Sequence, residues 1–521
     1  MDPIMQEKIA RFELLLQQNI EGGNRKITEK HVAKGKMLPR DRIAALLDPN
    51  TFVELGSGAR ATSERIDGRQ LSAEQSPCDG AITGYGQVHS RPVALYASDF
   101  SVLAGSLGTQ HITKMVKLFE YAAQNRIPIV WLLDSAGGRL GWEDVAISSL
   151  EWFFWPEGIY SGVVPQITVL MGPCIAGQAY APCMTDFLFM TRGTAHLWLG
   201  GPRMVQAATS EKMTDDVGAG DYHMALSGTC DKVGEDDAQT IAYTRKLLGY
   251  LPSHFQQKPP TRKTNDPKDR SVDRLCELVP GNFEHDYSIH DLVTELVDDG
   301  EFFELKETYA PQLATLFAHL GGQVVGIVAC NPKHRASLMT RDACDKYYRF
   351  LQVLDAYGIP LINLVDTPKI LPSEEEEQLG AARHGAKIIH LYANCTIPKI
   401  SVILRQSCGD AGSVIFGGVK GMGADLIYAW PLAEFSVSAS RIDLSQEPRL
   451  GIKQEEYHPY ISAARESVDV FEAAHTPTAQ LLDEIIHPAD TRKRLLEALD
   501  ILKDKVEVLP EKAKSHGTPP A

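Results

Sequence analysis

The sequence predicts an α/β protein in which one fold occurs twice. Two observations favour this fold. Short apolar runs rich in β-branched residues alternate with segments whose apolar residues recur at helical spacing, which is typical of parallel sheets covered by helices. Segments in the first half of the chain also match segments in the second half. With 521 residues, the chain has room for two large domains of this kind.

Three pairs of matching segments indicate the duplication. The first pair reads DRIAALLDPNTFVEL and DLVTELVDDGEFFEL, the second IPIVWLLDS and IPLINLVDT, and the third VPQITVL and IPKISVI. In order, the pairs cover residues 41–55 and 291–305, 127–135 and 359–367, and 164–170 and 397–403. Because all three pairs occur in the same order, duplication explains them better than chance does.

The predicted strands and helices follow the same order in both copies. Each copy has a short strand, an amphipathic helix, a second buried strand that ends in a turn, and a third strand followed by small residues. In the first copy these elements are residues 92–96, 110–124, 129–133 and 167–171. In the second copy they are residues 324–328, 346–357, 361–365 and 400–404. This alternation predicts a mostly parallel sheet in each copy.

A polar segment separates the two copies. Residues 253–269, SHFQQKPPTRKTNDPKD, contain three prolines and have no apolar periodicity, which is typical of a linker. We therefore predict an N-terminal domain over residues 1–252, a linker over 253–270 and a C-terminal domain over 271–508. The last residues, 509–521, are rich in proline and lysine and are expected to form a disordered tail.

Charge and cysteine content narrow the class of protein. The formal net charge is −15, which argues against a dedicated nucleic-acid-binding protein because such a protein needs a net basic face. The nine cysteines include no CxxC pair and are expected to be reduced thiols of a cytoplasmic protein. No apolar run is long enough to predict a membrane span, and the N-terminus lacks the pattern of a signal peptide.

Two turns in each copy are candidate ligand sites, because ligands of such sheets bind at the carboxyl ends of the strands. In the first copy the turns are Asp134–Arg139 and Ala176–Ala179, and in the second copy they are Asp366–Lys369 and Gly409–Gly412. Small residues at these positions let a ligand approach backbone N–H groups, which can stabilise an enolate or another oxyanion. The same residues could also serve only tight turns and close packing. The repetition of both turns favours the functional interpretation.

Several common catalytic motifs are absent. The sequence contains no GxxxxGK[ST] phosphate loop, no GxSxG nucleophile elbow and no HExxH metal motif. The histidines His384 and His390 are six residues apart, which is not a metal-binding pair at helical spacing. We therefore expect no metal, and a reaction that depends on backbone donors and on a mobile cofactor.

Long segments of the chain resemble one enzyme family. They are similar to the β (carboxyltransferase) subunits of biotin-dependent acyl-CoA carboxylases, of the propionyl-CoA and methylcrotonyl-CoA type. The most specific segment is Val164–Met190, VPQITVLMGPCIAGQAYAPCMTDFLFM, and the resemblance extends over about residues 25–505. The other segments are 34–56, 132–140, 201–223, 365–372, 383–389, 397–405, 428–437 and 483–499.

The resemblance implies a fold, a reaction and partners. It implies two tandem crotonase-like (ClpP/crotonase) domains of the ββα superhelix type. The N-terminal half would hold an acyl-CoA, and the C-terminal half would hold biotin, carried as carboxybiotin by a separate biotin carrier domain or subunit of a biotin carboxylase. A carboxyl group would pass between the two through an enolate, without a side-chain base. Members of the family are homohexamers, built as trimers of dimers.

The resemblance also assigns roles to individual residues. The catalytic groups would be the backbone N–H groups of Ala136 and Gly137 for the thioester oxygen, and those of Asp410 and Ala411 for the ureido oxygen of biotin. The substrate-binding residues would be Ser135, Gly138, Gly177, Gln178 and Ser413. The chain departs from the usual family pattern at both sites, because Ala136 and Asp410 each stand where the family usually has glycine.

Three functions remain open at this stage. The first is the carboxyltransferase subunit of an acyl-CoA carboxylase. The second is the reverse half-reaction, in a decarboxylase or a transcarboxylase. The third is a non-catalytic relative that binds CoA. The aromatic run Glu151–Glu157, EWFFWPE, is likewise open to two interpretations, as core or dimer packing or as an altered wall of the acyl pocket.

Overall fold

The fold is known from a computed structural model, which describes the chain except for residues 62–64, 67–68, 140–145, 284, 419–421, 437–467, 472–481, 513–517 and 521. The side chains of residues 65, 66, 69, 146–152, 436 and 468 are also outside the described part. The chain divides into two compact units, Met1–Gln257 and Lys258–Ala521. Their boundary falls inside the segment 253–270.

The first unit contains one large sheet. Its strands are β1 Val53–Leu55, β2 Arg65–Ile66, β3 Arg69–Gln70, β4 Ala81–Val88, β5 Arg91–Ser98, β6 Ile129–Leu133, β7 Gln166–Leu170, β8 Pro173–Ile175, β9 Phe187–Thr191, β10 His196–Trp198 and β11 Lys232–Gly234. The large sheet has the order β1-β4-β5-β6-β7-β9-β11. Neighbouring strands are antiparallel from β1 to β5 and parallel from β5 to β11.

The helices of the first unit cover this sheet. They are α1 Pro3–Glu21, α2 Arg25–Ala33, α3 Pro39–Leu46, α4 Thr109–Asn125, α5 Ala146–Ile159, α6 Tyr180–Met184, α7 Pro202–Thr209, α8 Gly220–Tyr222 and α9 Asp237–Leu248. Helix α4 buries Ile112, Met115, Leu118 and Phe119, whose spacing places them on one face. That face packs on strand β6, in which all five residues are buried. The sheet is thus covered on both faces, as expected for parallel strands.

The second unit repeats this architecture. Its strands are β12 Phe302–Leu305, β13 Leu313–Leu320, β14 Gln323–Cys330, β15 Leu361–Thr367, β16 Lys399–Cys408, β17 Leu426–Ala429, β18 Glu434–Ser436, β19 Val468–Asp469 and β20 Glu484–Ile485. The main path of its sheet is β12-β13-β14-β15-β16-β17-β20, antiparallel at first and parallel from β14 onward. The helices are α10 Leu275–Leu278, α11 Ile289–Leu296, α12 Arg341–Ala356, α13 Glu374–Gln378, α14 Ala381–Asn394 and α15 Thr491–Leu502.

The strands and helices predicted from the sequence are present in both units. The largest difference is at helix α12, which begins at Arg341 and not at Lys346. It begins earlier because the hydroxyl of Thr340 accepts a hydrogen bond from the Ala343 N–H and so caps the helix. No helix in the described part of the chain is both long enough and apolar enough to cross a bilayer.

Candidate active site

A buried carboxylate ends strand β6 in the first unit. The side chain of Asp134 is inaccessible to solvent, and its Oδ2 lies 2.5 Å from Lys36 Nζ and 3.0 Å from Arg42 Nη1. Arg42 also donates through Nε to Asp237 at 2.8 Å. Burial lowers the pKa of Lys36, and the Asp134 carboxylate opposes this shift. The ion pairs therefore fix the point at which the chain leaves the sheet and enters the turn at residues 135–138.

The backbone of this turn is held closely. The N–H of Ser135 donates to Pro173 O at 3.1 Å, and the N–H of Ala136 donates to Ala104 O at 3.0 Å. The N–H of Gly137 makes a 3.2 Å hydrogen bond to the hydroxyl of Ser135, which is free to rotate. Of the two N–H groups predicted to hold the thioester oxygen, that of Gly137 is therefore the more easily released.

The second turn of the first unit lies beside the first one. Residues 176–179 form a 3₁₀ turn between strand β8 and helix α6, and the N–H groups at its start have no earlier carbonyl of the same turn to bind. Gly137 has a φ of +93°, and a Cβ at this position would lie 3.3 Å from Ile175 O. Gly177 is half-buried, Gln178 is buried and Gly138 is exposed. The structure thus brings all the predicted first-unit site residues together.

A small cavity, of about 10 Å³, shares Gln178 with the second of these turns. Most of its wall is apolar, but Glu157, Thr168 and Gln178 also contribute to it. Its apolar lining consists of Leu107, Ile112, Met115, Trp131, Leu133, Phe153, Phe154 and Ala181. Glu157 is 1% exposed, and burial raises the pKa of its carboxyl group well above the usual range. No sequence pattern had indicated Glu157 as a functional residue.

The aromatic run of helix α5 contributes to both the core and the cavity. Phe153 packs edge-on against Trp131 with ring centroids 5.2 Å apart, and Phe154 makes a similar contact with Tyr180. Both phenylalanines line the cavity, whereas Trp155 is 72% exposed. Core packing is therefore confirmed for Phe153, and a role of the run as a wall of the acyl pocket stays a prediction.

The second unit has a buried carboxylate at the equivalent position. Asp366, near the end of strand β15, accepts a hydrogen bond from Arg405 Nε at 2.8 Å and another from the Tyr287 hydroxyl at 3.0 Å. The guanidinium of Arg405 also lies over the rings of Phe283 and Tyr287. Sequence reasoning placed Asp134 and Asp366 in their turns but missed their role as anchors. Both residues lie at the ends of matching strands, which predicts their place in the fold but not their partners.

The turn after strand β16 carries the remaining predicted residues. The side chain of Asp410 is exposed, and Ala411 is buried at the start of a short π-helical turn, Ala411–Ile415. The hydroxyl of Ser413 donates to Gly409 O at 2.7 Å, so it braces the turn itself. A Cβ at Gly412 would lie 2.5 Å from the backbone of Ser407, so only glycine fits there.

The comparisons with known proteins identify the family. The carboxyl transferase domain matches residues 30–516. The chain belongs to the carboxyl transferase family. This carboxyltransferase is 36% identical to the methylmalonyl-CoA decarboxylase subunit alpha of Veillonella parvula, and the alignment covers 99% of both chains. It is 35% identical to the putative propionyl-CoA carboxylase beta chain of Bacillus subtilis, with 99% of this chain and 100% of that protein covered.

A solved structure confirms the fold of the carboxyltransferase. Transcarboxylase 12S, solved with hydrolysed methylmalonyl-coenzyme A bound, matches with a TM-score of 0.90 and 32% identity, and 99% of each chain is covered. The predicted α/β fold of crotonase-like domains is confirmed by this match, and so is the resemblance from which it was inferred. The protein is an enzyme subunit that transfers carboxyl groups.

The buried Glu157 makes the stability of the enzyme depend on pH. Burial raises the pKa of the Glu157 carboxyl group in the folded state. The contribution of this group to the free energy of unfolding is therefore complete below the unfolded pKa of about 4.3, and it is lost as the pH rises towards the folded pKa. We expect the Glu157→Gln variant to gain stability relative to the wild type by about 1.4 kcal/mol per pH unit across this window. Urea unfolding between about pH 5 and pH 8 measures this difference. The exposed Glu120→Gln is the control, and parallel curves for Glu157→Gln and the wild type would contradict the expectation.

Proposed function

We propose that this carboxyltransferase moves a carboxyl group between biotin on a carrier protein and the α- or vinylogous carbon of an acyl-CoA, through an enolate. One observation carries the proposal: each unit places two turns at the carboxyl ends of neighbouring parallel strands, beside a buried, ion-paired aspartate. Both turns of the first unit contain glycine, and so does the turn Gly409–Gly412 of the second unit. The relatives named above act on CoA esters, which supports the same substrate class here.

The first unit would bind the acyl-CoA. The N–H of Gly137 would leave the Ser135 hydroxyl and donate to the thioester oxygen. The N–H of Ala136 would have to exchange its bond to Ala104 O for the same oxygen. Ser135, Gly138, Gly177 and Gln178 would complete the contacts with the substrate. Fixed donors of this kind stabilise the negative charge that develops on the oxygen of an enolate.

The second unit would bind the biotin of the carrier. The N–H groups of Asp410 and Ala411 would hold the ureido oxygen, and Ser413 would keep their turn in place. The Ser407 hydroxyl is buried beside Gly412 and has no hydrogen-bond partner among the described residues, so this region fits a small polar group. Carboxybiotin, when bound, would supply the carboxyl group as CO2, and the biotin anion left behind would take the α-proton of the acyl-CoA. The chain contributes oriented backbone donors, without a side-chain base.

The direction of the reaction has two candidates. A carboxylase would add the carboxyl group to the acyl-CoA, and a decarboxylase or transcarboxylase would remove it. The relative from Veillonella parvula specifically supports the second direction, because it is named a decarboxylase subunit. A non-catalytic CoA-binding role would not require two pairs of turns with backbone donors, so we propose an active enzyme.

The proposal includes an assembly and a location. Transcarboxylase 12S was solved as a hexamer assembly, and an exposed Trp155 is a side chain that self-association would cover. We propose a homohexamer, a trimer of dimers, that works with a biotin carboxylase and its biotin carrier subunit. In the part of the chain that the structure describes, none of the nine cysteines is assigned to a disulfide bond, which supports a cytoplasmic location.

A substrate screen tests this function. The purified chain is incubated with a biotinylated carrier protein and a series of acyl-CoAs and α-carboxylated acyl-CoAs, and mass spectrometry follows the mass of the carrier and of each CoA ester. Transfer of one carboxyl group to or from the carrier supports the proposal. The direction is that of the faster reaction, either carboxylation of the acyl-CoAs or decarboxylation of the α-carboxylated acyl-CoAs. Binding of CoA esters without any transfer would instead support the non-catalytic role.

The Gly412→Ala variant tests the biotin side of the proposal. The added Cβ collides with the Ser407 backbone, so the turn that carries the N–H groups of residues 410 and 411 must shift. We expect transfer to biotin to fall by about tenfold or more, which is a fraction of the effect of losing one oxyanion donor. Binding of acyl-CoA, measured by calorimetry, should not change. Gly385→Ala in helix α14 is the control, because its Cβ meets only ordinary contact at 3.8 Å, and equal activity of the two variants would contradict the assignment.

A further inference from the structure

The turn after strand β15 in the second unit corresponds to the turn at residues 135–138 in the first unit. Leu107 donates its N–H to Gly137 O at 2.9 Å, and in the same way Met339 donates its N–H to Lys369 O at 3.1 Å. The match between the two copies, extended by two residues, also pairs Gly137 with Lys369. Lys369 therefore takes the place of the residue whose N–H is proposed to hold the thioester oxygen.

The chemistry of the second turn differs from that of the first. Pro368 takes the place of Ala136 and has no N–H group to donate. Lys369 adds a side chain that ends in an ammonium group, which has three donors and a positive charge. Charged donors of this kind form the stronger hydrogen bonds with anionic oxygen. The turn of the second unit thus offers a cation where the first unit offers neutral backbone donors.

The ammonium group of Lys369 has no counter-charge among the residues that the structure describes. Its side chain is half-buried and makes neither an ion pair nor a hydrogen bond with any of them. Burial lowers the pKa of Lys369. At Lys36 in the first unit, the Asp134 carboxylate opposes the same effect. Because a partly buried charge is unfavourable without a partner, the surroundings of Lys369 fit a bound anion.

The cation lies next to the turn that is proposed to bind biotin. Strands β15 and β16 are parallel neighbours, and Thr367 pairs with Ser407 at their ends. Lys369 follows Thr367 by two positions, and Gly409 follows Ser407 by two positions. The two turns therefore start side by side, about 4.8 Å apart, which is the spacing of neighbouring strands. Lysine carries its charge on a flexible four-carbon stem, so the ammonium group can reach a group bound at the neighbouring turn.

We propose that Lys369 is a further catalytic residue, whose ammonium group binds the transferable carboxylate of carboxybiotin beside the turn at residues 409–412. This inference rests on the proposed function, because it takes that turn as the biotin site. Lys369 keeps its proton and stays paired with one negative charge. This charge is on the carboxylate at first. It is on the ureido group after the C–N bond breaks, since CO2 leaves and the electron pair of the bond stays on biotin.

Paired biotin derivatives test the inference by binding alone. Calorimetry with the full chain measures the dissociation constants of N1-carboxymethyl biotin methylamide, an anion, and of the matching N1-carbamoylmethyl compound, which is neutral. We expect the wild type to bind the acid at least about tenfold more tightly than the amide, which is typical of a charge-assisted hydrogen bond. Lys369→Arg should keep this preference, and Lys369→Met should abolish it. Lys493→Met, at an exposed position of helix α15, is the control and should behave as the wild type does.

The kinetics of transfer provide a second readout. Label is followed from a carboxylated acyl-CoA to biotin methylamide, which is neutral when it binds. We expect Lys369→Met to lower the turnover number by about tenfold or more, because the negative charge on the biotin side loses its partner. The KM for biotin methylamide should change little, since the acceptor brings no charge. Lys369→Arg should retain most of the turnover number, and Lys493→Met should retain all of it.

The outcomes separate this inference from the proposed function. Equal affinity of the wild type for the acid and the amide would overturn the inference, and so would an unchanged turnover number in Lys369→Met; transfer by the wild type would still support the function. Absence of transfer by the folded wild type would overturn the function and the inference together. If neither derivative binds, the turnover numbers decide. Circular dichroism checks folding, and if Lys369→Met does not fold, the acid and the amide are compared in the wild type and Lys369→Arg.

Discussion

Replacing Gly137 by alanine is expected to lower the turnover number by about two to three orders of magnitude, the usual cost of losing one oxyanion donor. Gly137 has a φ of +93°, a conformation that residues with a side chain rarely adopt. The new Cβ would lie 3.3 Å from Ile175 O, so the turn must move away from strand β8. The N–H proposed to hold the thioester oxygen moves with it. Steady-state kinetics with saturating acyl-CoA measures the effect.

A second glycine controls for backbone strain alone. Gly193 also has a positive φ, of +72°, but it lies in an exposed turn and a Cβ there meets no atom within 4 Å. We expect Gly193→Ala to retain nearly the full turnover number. If Gly137→Ala were as active as Gly193→Ala, the backbone-donor mechanism would be wrong for the acyl-CoA side of the site.

Replacing Asp134 by asparagine is expected to reduce the free energy of unfolding by about 3–5 kcal/mol, the typical effect of removing one partner from a buried ion pair. The substitution leaves Lys36 and Arg42 buried near an uncharged amide, with 7% and 1% of their side chains exposed. The turn at residues 135–138 loses its anchor as well, so activity should fall in parallel. Urea unfolding followed by fluorescence measures the change in stability.

An exposed ion pair provides the comparison. Asp221 pairs with Arg192 at 2.8 Å, but 52% and 44% of the two side chains are exposed. Surface pairs contribute about 0–1 kcal/mol, so Asp221→Asn should hardly change unfolding. A loss of similar size in Asp134→Asn and Asp221→Asn would contradict the view that the buried carboxylate organises the first unit.

The sequence was sufficient for the architecture because local patterns determine most of it. The alternating strands and helices were predicted from apolar periodicity, and the repeat was predicted from three matching segments. Contacts between distant parts of the chain were not predictable in the same way. Asp134 was visible at the end of a strand, but its partners Lys36 and Arg42 precede it by about a hundred residues. No local pattern links such residues, so the anchor became evident only in the folded chain.

The candidate site was likewise predictable from the sequence only where local patterns determine it. The turns and their small residues could be read from the sequence, since glycines after buried strands indicate close approach of a ligand to the backbone. The hydrogen bond from Ala136 to Ala104 O could not, because it depends on the path of a separate loop. Glu157 also gave no signal, since a glutamate near the end of a helix is usually solvated. Its burial follows from the packing of helix α5 over strand β6.

Transfer of a labelled carboxyl group to free biotin tests the central claim most directly. The purified chain, without ATP and without any other subunit, is incubated with biotin and a carboxylated acyl-CoA whose transferable carboxyl group carries an isotopic label. Our account predicts that the label moves to biotin, because this chain holds both proposed binding turns and needs no energy input for the exchange. Failure of the label to reach biotin from any carboxylated acyl-CoA that the folded enzyme binds would contradict it.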